Sequence, residues 1–143
     1  MGGTDKPIIA IAIGDPAGIG PEISLKTALD PAVQEMCRPV LVGDPTVIER
    51  HATACGLLPK LRSVDRIGDI NWQDGGLPLL ACRSNEAADL AFGSASAASG
   101  RISLSAARAA IQAALRQDVD AVVAAPQNQT SIGRSRSSGT RAC

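Results

Sequence analysis

The run PIIAIAI, Pro7 to Ile13, is apolar without a break and rich in β-branched side chains. A strand of this kind has no polar face to turn to water. Both its faces must be covered, as in a parallel sheet packed between helices. It leads directly into GDPAGIGPE, where Gly14, Gly18 and Gly20 permit unusual backbone angles while Pro16 and Pro21 fix theirs. Pro21 suits the first helical position, with Gly20 as the cap before it. The segment either turns a strand into a helix or also offers its backbone to a ligand. Free N–H groups and the helix dipole favour an anion at such a place. Asp15 and Glu22 can orient a hydroxyl or amide, but their charges oppose phosphate. GIGPEI lacks the third glycine of a dinucleotide fingerprint, and no Gly-Lys-Ser/Thr triplet occurs, so neither common nucleotide loop is present.

The pattern repeats downstream. Pro39 to Gly43 reads as a second buried strand, with Asp44 and Pro45 as N-cap and first residue of a helix. Val47, Ile48, Ala52 and Cys55 give that helix its apolar face, and Gly56 suits the position past its end. Leu57 to Gly76 has no regular period and closes in the turn signal Asp74-Gly75-Gly76. LPLLAC, Leu77 to Cys82, is a third strand, and Ser84 to Gly100 reads as loop with some helix. In ISLSAARAAIQAALRQ, Ile102, Leu104, Ala107, Ile111, Ala114 and Leu115 recur at helical spacing and predict one apolar face. A last strand, Asp120 to Ala125, ends at Pro126. Strands alternating with helices predict a layered α/β fold. SIGRSRSSGTRAC, Ser131 to Cys143, has neither helical nor strand period. Residues 131–143 are therefore expected to form an irregular tail apart from residues 1–130.

Composition removes several functions. The 143-residue chain carries 14 basic and 14 acidic residues, so nothing draws it to nucleic acid or an anionic membrane. Trp72 and Phe92 are its only aromatics, too few for a base-stacking surface. Cys37, Cys55, Cys82 and Cys143 form no CxxC pair and read as reduced thiols. The single histidine, His51, reads as helix filler rather than a metal ligand, so no metal site is expected. No apolar run approaches a membrane span, and MGGTDKP has neither signal-peptide nor myristoylation pattern. A cytoplasmic protein is expected.

KPIIAIAIGDPAGIGPEISLKTAL resembles the opening of the 4-hydroxythreonine-4-phosphate dehydrogenase family, whose first strand runs into Gly-Asp-Pro-x-Gly-Ile-Gly-Pro-Glu. Gly14, Asp15, Pro16, Gly18, Ile19, Gly20, Pro21 and Glu22 carry the match. Val40 to Asp44 resembles the family's second strand, and Val119 to Pro126 the strand entering its active-site loop. Isocitrate and isopropylmalate dehydrogenases have a shorter Gly-Asp-Gly-Ile-Gly-Pro-Glu, so Pro16-Ala17 favours the hydroxythreonine-phosphate branch. The resemblance implies a layered α/β/α fold like that of isocitrate and isopropylmalate dehydrogenases, here incomplete at the C-terminus. It also implies NAD-dependent oxidation of the secondary alcohol of a small phosphorylated hydroxy acid, on the route to pyridoxal phosphate. A divalent metal, commonly zinc, would assist, in a homodimer. Gly14, Asp15, Gly18, Gly20 and Glu22 would form the cleft-facing loop, with Asn128 and Gln129 near substrate.

Two departures qualify these expectations. The family usually has lysine where Gln129 stands, and an amide cannot replace that point charge, which hints at a branch acting on another sugar acid or diol acid. The Gly-His-Thr-Glu motif, three later metal-binding histidines and most NAD contacts of the family have no counterpart here. The resemblance therefore leads to an expected interruption near Ser131, such as a frameshift, leaving the signature without the whole site. A non-catalytic fragment and a small α/β phosphate-binding module are the competing expectations.

Overall fold

A computed structural model describes residues 5–138. The expectations for the extreme N-terminus and for Cys143 lie outside the described residues. Five parallel strands form one sheet in the order β3-β4-β2-β1-β5. They are β1 (Ile8–Ala12), β2 (Arg38–Gly43), β3 (Leu61–Val64), β4 (Leu77–Ala81) and β5 (Ala121–Ala124). The helices are α1 (Gly20–Leu29), α2 (Pro31–Met36), α3 (Pro45–Ala54), α4 (Ala97–Leu115) and α5 (Gln129–Ser138).

β1 shows why its sequence is continuously apolar. Ile11 and Ile13 enter one buried cluster with Leu25, Leu41, Ile48 and Leu79. Ala10 and Ala12 enter another, on the alternate positions, with Val40, Val42, Ala110 and Ala113. The layered arrangement expected from the sequence is thus present, with core on both faces of the sheet. Each fully buried Ile or Leu contributes roughly 1.5–3 kcal/mol relative to exposure.

Asp44 is the N-cap expected of α3. Its carboxylate accepts hydrogen bonds from the Thr46 and Val47 amides at 2.8 and 3.3 Å. The same buried side chain accepts the Ser84 amide at 2.6 Å, tying the end of β2 to the loop leaving β4. Gly56 follows α3 at φ +66°.

Several local expectations are corrected. The N-cap of α1 is Ile19, so Gly20 is the first helical residue and Pro21 the second. Part of the irregular Leu57–Gly76 stretch forms β3, which pairs with β4 from Leu61↔Leu77 to Val64↔Leu80. Helix α4 starts inside the expected loop, because Ser96 caps it through the Ser99 amide at 3.0 Å.

The buried face of α4 is also different from the apolar stripe. Ser99, Gly100, Ile102, Ser103, Ala106, Ala110 and Ala113 are buried, whereas Ile111 and Leu115 are 53% and 79% exposed. Close packing selects small side chains along this helix. The segment from Ser131, expected to be irregular, is helical through Ser138 and lies against α4. A Cβ on Gly100 would stand 2.1 Å from the Ser131 carbonyl oxygen. The Ser99 and Ser131 hydroxyls are 3.0 Å apart in the same buried crossing. Serine and glycine, poor evidence of a core in sequence, are what this crossing admits.

Candidate functional site

β1 and β5 are parallel neighbours, so the loops leaving their carboxyl ends lie side by side. The β1–α1 loop carries the first part of the GDPAGIGPE segment, Gly14 to Ile19, whose Gly20, Pro21 and Glu22 open α1, and the β5–α5 loop contains Pro126 to Asn128. Asp15 joins them. Its amide donates to the Pro126 carbonyl at 3.0 Å, and its buried carboxylate accepts the Ala17 amide at 2.9 Å. The Gly18 amide then donates to the Asp15 carbonyl at 3.1 Å, closing the turn.

The glycines have distinct tasks. Gly14 has φ +73°, and a Cβ there would lie 2.3 Å from the Pro126 carbonyl oxygen. A Cβ on Gly20 would meet the Ile13 carbonyl oxygen at the same distance, so α1 can begin directly above β1. Gly18 has ordinary space around it, its nearest neighbour being 3.7 Å away. Gly14, Asp15 and Gly18 therefore lie in one compact turn, and Gly20 opens the helix that follows it.

Glu22 leaves that turn for the helix surface and contacts Lys26 at 2.6 Å. The hydrogen bond and positive charge of Lys26 hold the Glu22 carboxyl below its ordinary value, while Glu22 raises Lys26 in return. This pairing offsets negative charge at the start of α1. No side chain caps that start, and Pro21 has no N–H, so the first-turn amides left for water or an anionic oxygen are those of Glu22 and the more buried Gly20.

Asn128 and Gln129 take separate roles. The Asn128 side-chain oxygen accepts the Ser131 amide at 3.0 Å, in the manner of an N-cap for α5. Gln129 is exposed as the first residue of α5. Sequence reading missed the support beneath the glycine loop. His51 is buried, with Nε2 2.8 Å from the Pro16 carbonyl oxygen, and the Gly93 amide donates to the Ala17 carbonyl at 2.7 Å. A lone histidine gives no sequence signal for a partner 35 residues away.

Beside this turn, a groove of about 320 Å³ runs between β1, β5 and α1. Ile9, Ile11, Ile23, Val123, Ala125 and Pro126 make most of its wall hydrocarbon, the wrong lining for a phosphorylated acid. Among the described residues, no three His, Cys, Asp or Glu side chains converge as a metal centre requires.

Comparison with known proteins identifies the family. Residues 35–140 match the family model described as Pyridoxal phosphate biosynthetic protein PdxA. A 4-hydroxythreonine-4-phosphate dehydrogenase from Geobacter metallireducens is 35% identical over 132 residues, covering 90% of this chain and 38% of the relative. The crystal structure of a 4-hydroxythreonine-4-phosphate dehydrogenase from Burkholderia phymatum superposes with TM-score 0.84 at 28% identity. That match covers 91% of this chain and 39% of the other. A terephthalate 1,2-cis-dihydrodiol dehydrogenase from Burkholderia xenovorans LB400 superposes with TM-score 0.70 at 36% identity, over 90% and 37% of the two chains. The chain thus spans about two fifths of the length of these proteins. By the family match and the shared fold, this chain belongs to the PdxA family.

Proposed function

We propose that the chain contributes the cleft-facing loop of a cytoplasmic, NAD-dependent dehydrogenase that oxidises the secondary alcohol of a small phosphorylated hydroxy acid. The observation that carries this reading is the Asp15–Pro126 hydrogen bond, which gathers both family loops at the carboxyl ends of β1 and β5. Asp15 fixes the turn, and the uncapped start of α1 offers amides to an anionic oxygen of substrate. Lys26 lowers the cost of bringing an anion near Glu22. Asn128 orders the facing helix start, where Gln129 presents a neutral amide.

The family implies NAD and a divalent metal in a homodimer. The described residues do not fit either group: no ligand cluster is present, His51 is committed to Pro16, and the glycine loop lacks the dinucleotide fingerprint.

Gln129 favours a second reading. A neutral amide in place of lysine suits a substrate without phosphate, and the cis-dihydrodiol dehydrogenase of Burkholderia xenovorans is 36% identical to this chain. A cyclic diol carboxylate is the substrate class on that reading. Titration of the isotope-labelled chain with phosphorylated hydroxythreonine and with a cis-dihydrodiol carboxylate tests both. Amide shifts confined to Gly14–Glu22 and residues 126–131 are expected, and the stronger ligand chooses the substrate class. Absence of shifts in both loops contradicts a substrate-facing role.

A further inference from the structure

The carbonyl of Pro16 lies in the middle of the signature loop, and Pro16 is fully buried. Water cannot readily satisfy this oxygen, so a donor must come from the protein. The donor is the ring of His51, reaching from the last turn of α3 with Nε2 at 2.8 Å. We infer that His51 is a positioning residue for the cleft loop, holding the Pro16 carbonyl through Nε2–H. This rests on the reading that the loop faces substrate.

The ring is itself held. Phe92 packs against it with centroids 4.3 Å apart and planes tilted by 33°. The Arg50 guanidinium covers Phe92 at 4.6 Å and donates to the Ala87 and Leu90 carbonyls at 3.0 and 2.7 Å. The segment fixed in this way supplies the Gly93 amide to the Ala17 carbonyl. Consecutive carbonyls of the loop, Pro16 and Ala17, are thus braced from two different elements. The turn's own bonds, from Asp15, set its internal shape, whereas this brace sets its height above α3. A filler histidine needs only volume. A positioning histidine needs a proton on one particular nitrogen.

Two measurements on the isotope-labelled 143-residue chain test this. A long-range proton–nitrogen spectrum of the imidazole is expected to show a proton on Nε2. A neutral ring protonated only on Nδ1 overturns the inference. His51→Leu keeps an apolar side chain but removes the donor. It is expected to accelerate exchange of the Ala17 and Gly18 amides by at least about tenfold while β2 and β4 amides are spared. His51→Gln, whose amide can donate, is expected to restore most of that protection. Unchanged loop exchange in His51→Leu, or no rescue by His51→Gln, contradicts a positioning role. If His51→Leu fails to fold, the wild-type tautomer and the loop protection of His51→Gln decide the matter. Loss of ligand shifts with the brace intact would refute the functional reading instead.

Discussion

Gly14 and Pro126 approach so closely that a Cβ on the glycine would lie 2.3 Å from the proline carbonyl oxygen. The same oxygen accepts the Asp15 amide, so the close approach and the hydrogen bond form one junction between β1 and β5. Gly14→Ala must relieve a positive φ as well as a backbone clash. The backbone conformation alone costs roughly 1–3 kcal/mol, and the clash adds to it. Gly18→Ala has no such conflict and should stay within about 0.5 kcal/mol of the parent. Urea unfolding of the two variants checks the contrast. Equal stability would remove the junction from the account.

Asp44→Ala removes two amide caps from α3 and the acceptor of the Ser84 amide. A loss of about 1–3 kcal/mol is expected. Asp44→Asn can keep the cap with its oxygen but turns an N–H group toward the Ser84 amide. It should fall between parent and alanine variant in urea unfolding, with faster exchange at Ser84.

Much of this framework was legible in the sequence. PIIAIAI announced a strand covered on both faces, and Asp44-Pro45 announced the start of a helix. The glycine–proline turn was equally visible, because its residues restrict the backbone locally. The buried face of α4 was not. Ile111 and Leu115 look like core, yet they are exposed, while Ser99, Gly100 and Ser103 are buried. A close helix crossing rewards small volume over hydrophobicity, and that choice depends on a partner remote in sequence. The same crossing accounts for Ser131 of α5, which is buried with its hydroxyl against Ser99 although the α5 sequence carries no apolar period. The hydrogen bond of His51 to Pro16 was not readable, because it depends on tertiary placement.

The crossing gives a sharp prediction. Gly100→Ala would press a Cβ to 2.1 Å from the Ser131 carbonyl oxygen, forcing α5 away from α4. A destabilisation of about 1–3 kcal/mol is expected, with amide exchange increased across Gln129–Ser138. Retained protection there would contradict the close packing of α5.

Cys82 provides a pH test. Burial, with Asp44 nearby, pushes its thiol up to about 11 from an ordinary value of 9.0. Its thiolate fraction at pH 8 should be about 100-fold smaller than that of an unshifted thiol, so alkylation should be correspondingly slow until the chain unfolds. Between pH 9 and about 11 the unfolded thiol is deprotonated while the folded one keeps its proton. The unfolded state then binds fewer protons, so this group makes stability fall as pH rises through that window. Cys82→Ala should flatten this part of the pH profile. A profile unchanged by the substitution would exclude Cys82 as its source.

The most direct test replaces the matching N-terminal segment of the Geobacter metallireducens dehydrogenase with residues 6–132 of this chain, so that Asn128 and Gln129 are carried over. NADH formation is then measured with zinc and phosphorylated hydroxythreonine or a cis-dihydrodiol carboxylate. Substrate-dependent turnover within about 100-fold of the parent enzyme is expected for one of the two classes. A folded chimera that binds NAD and zinc yet forms no NADH from either class would contradict the proposed function.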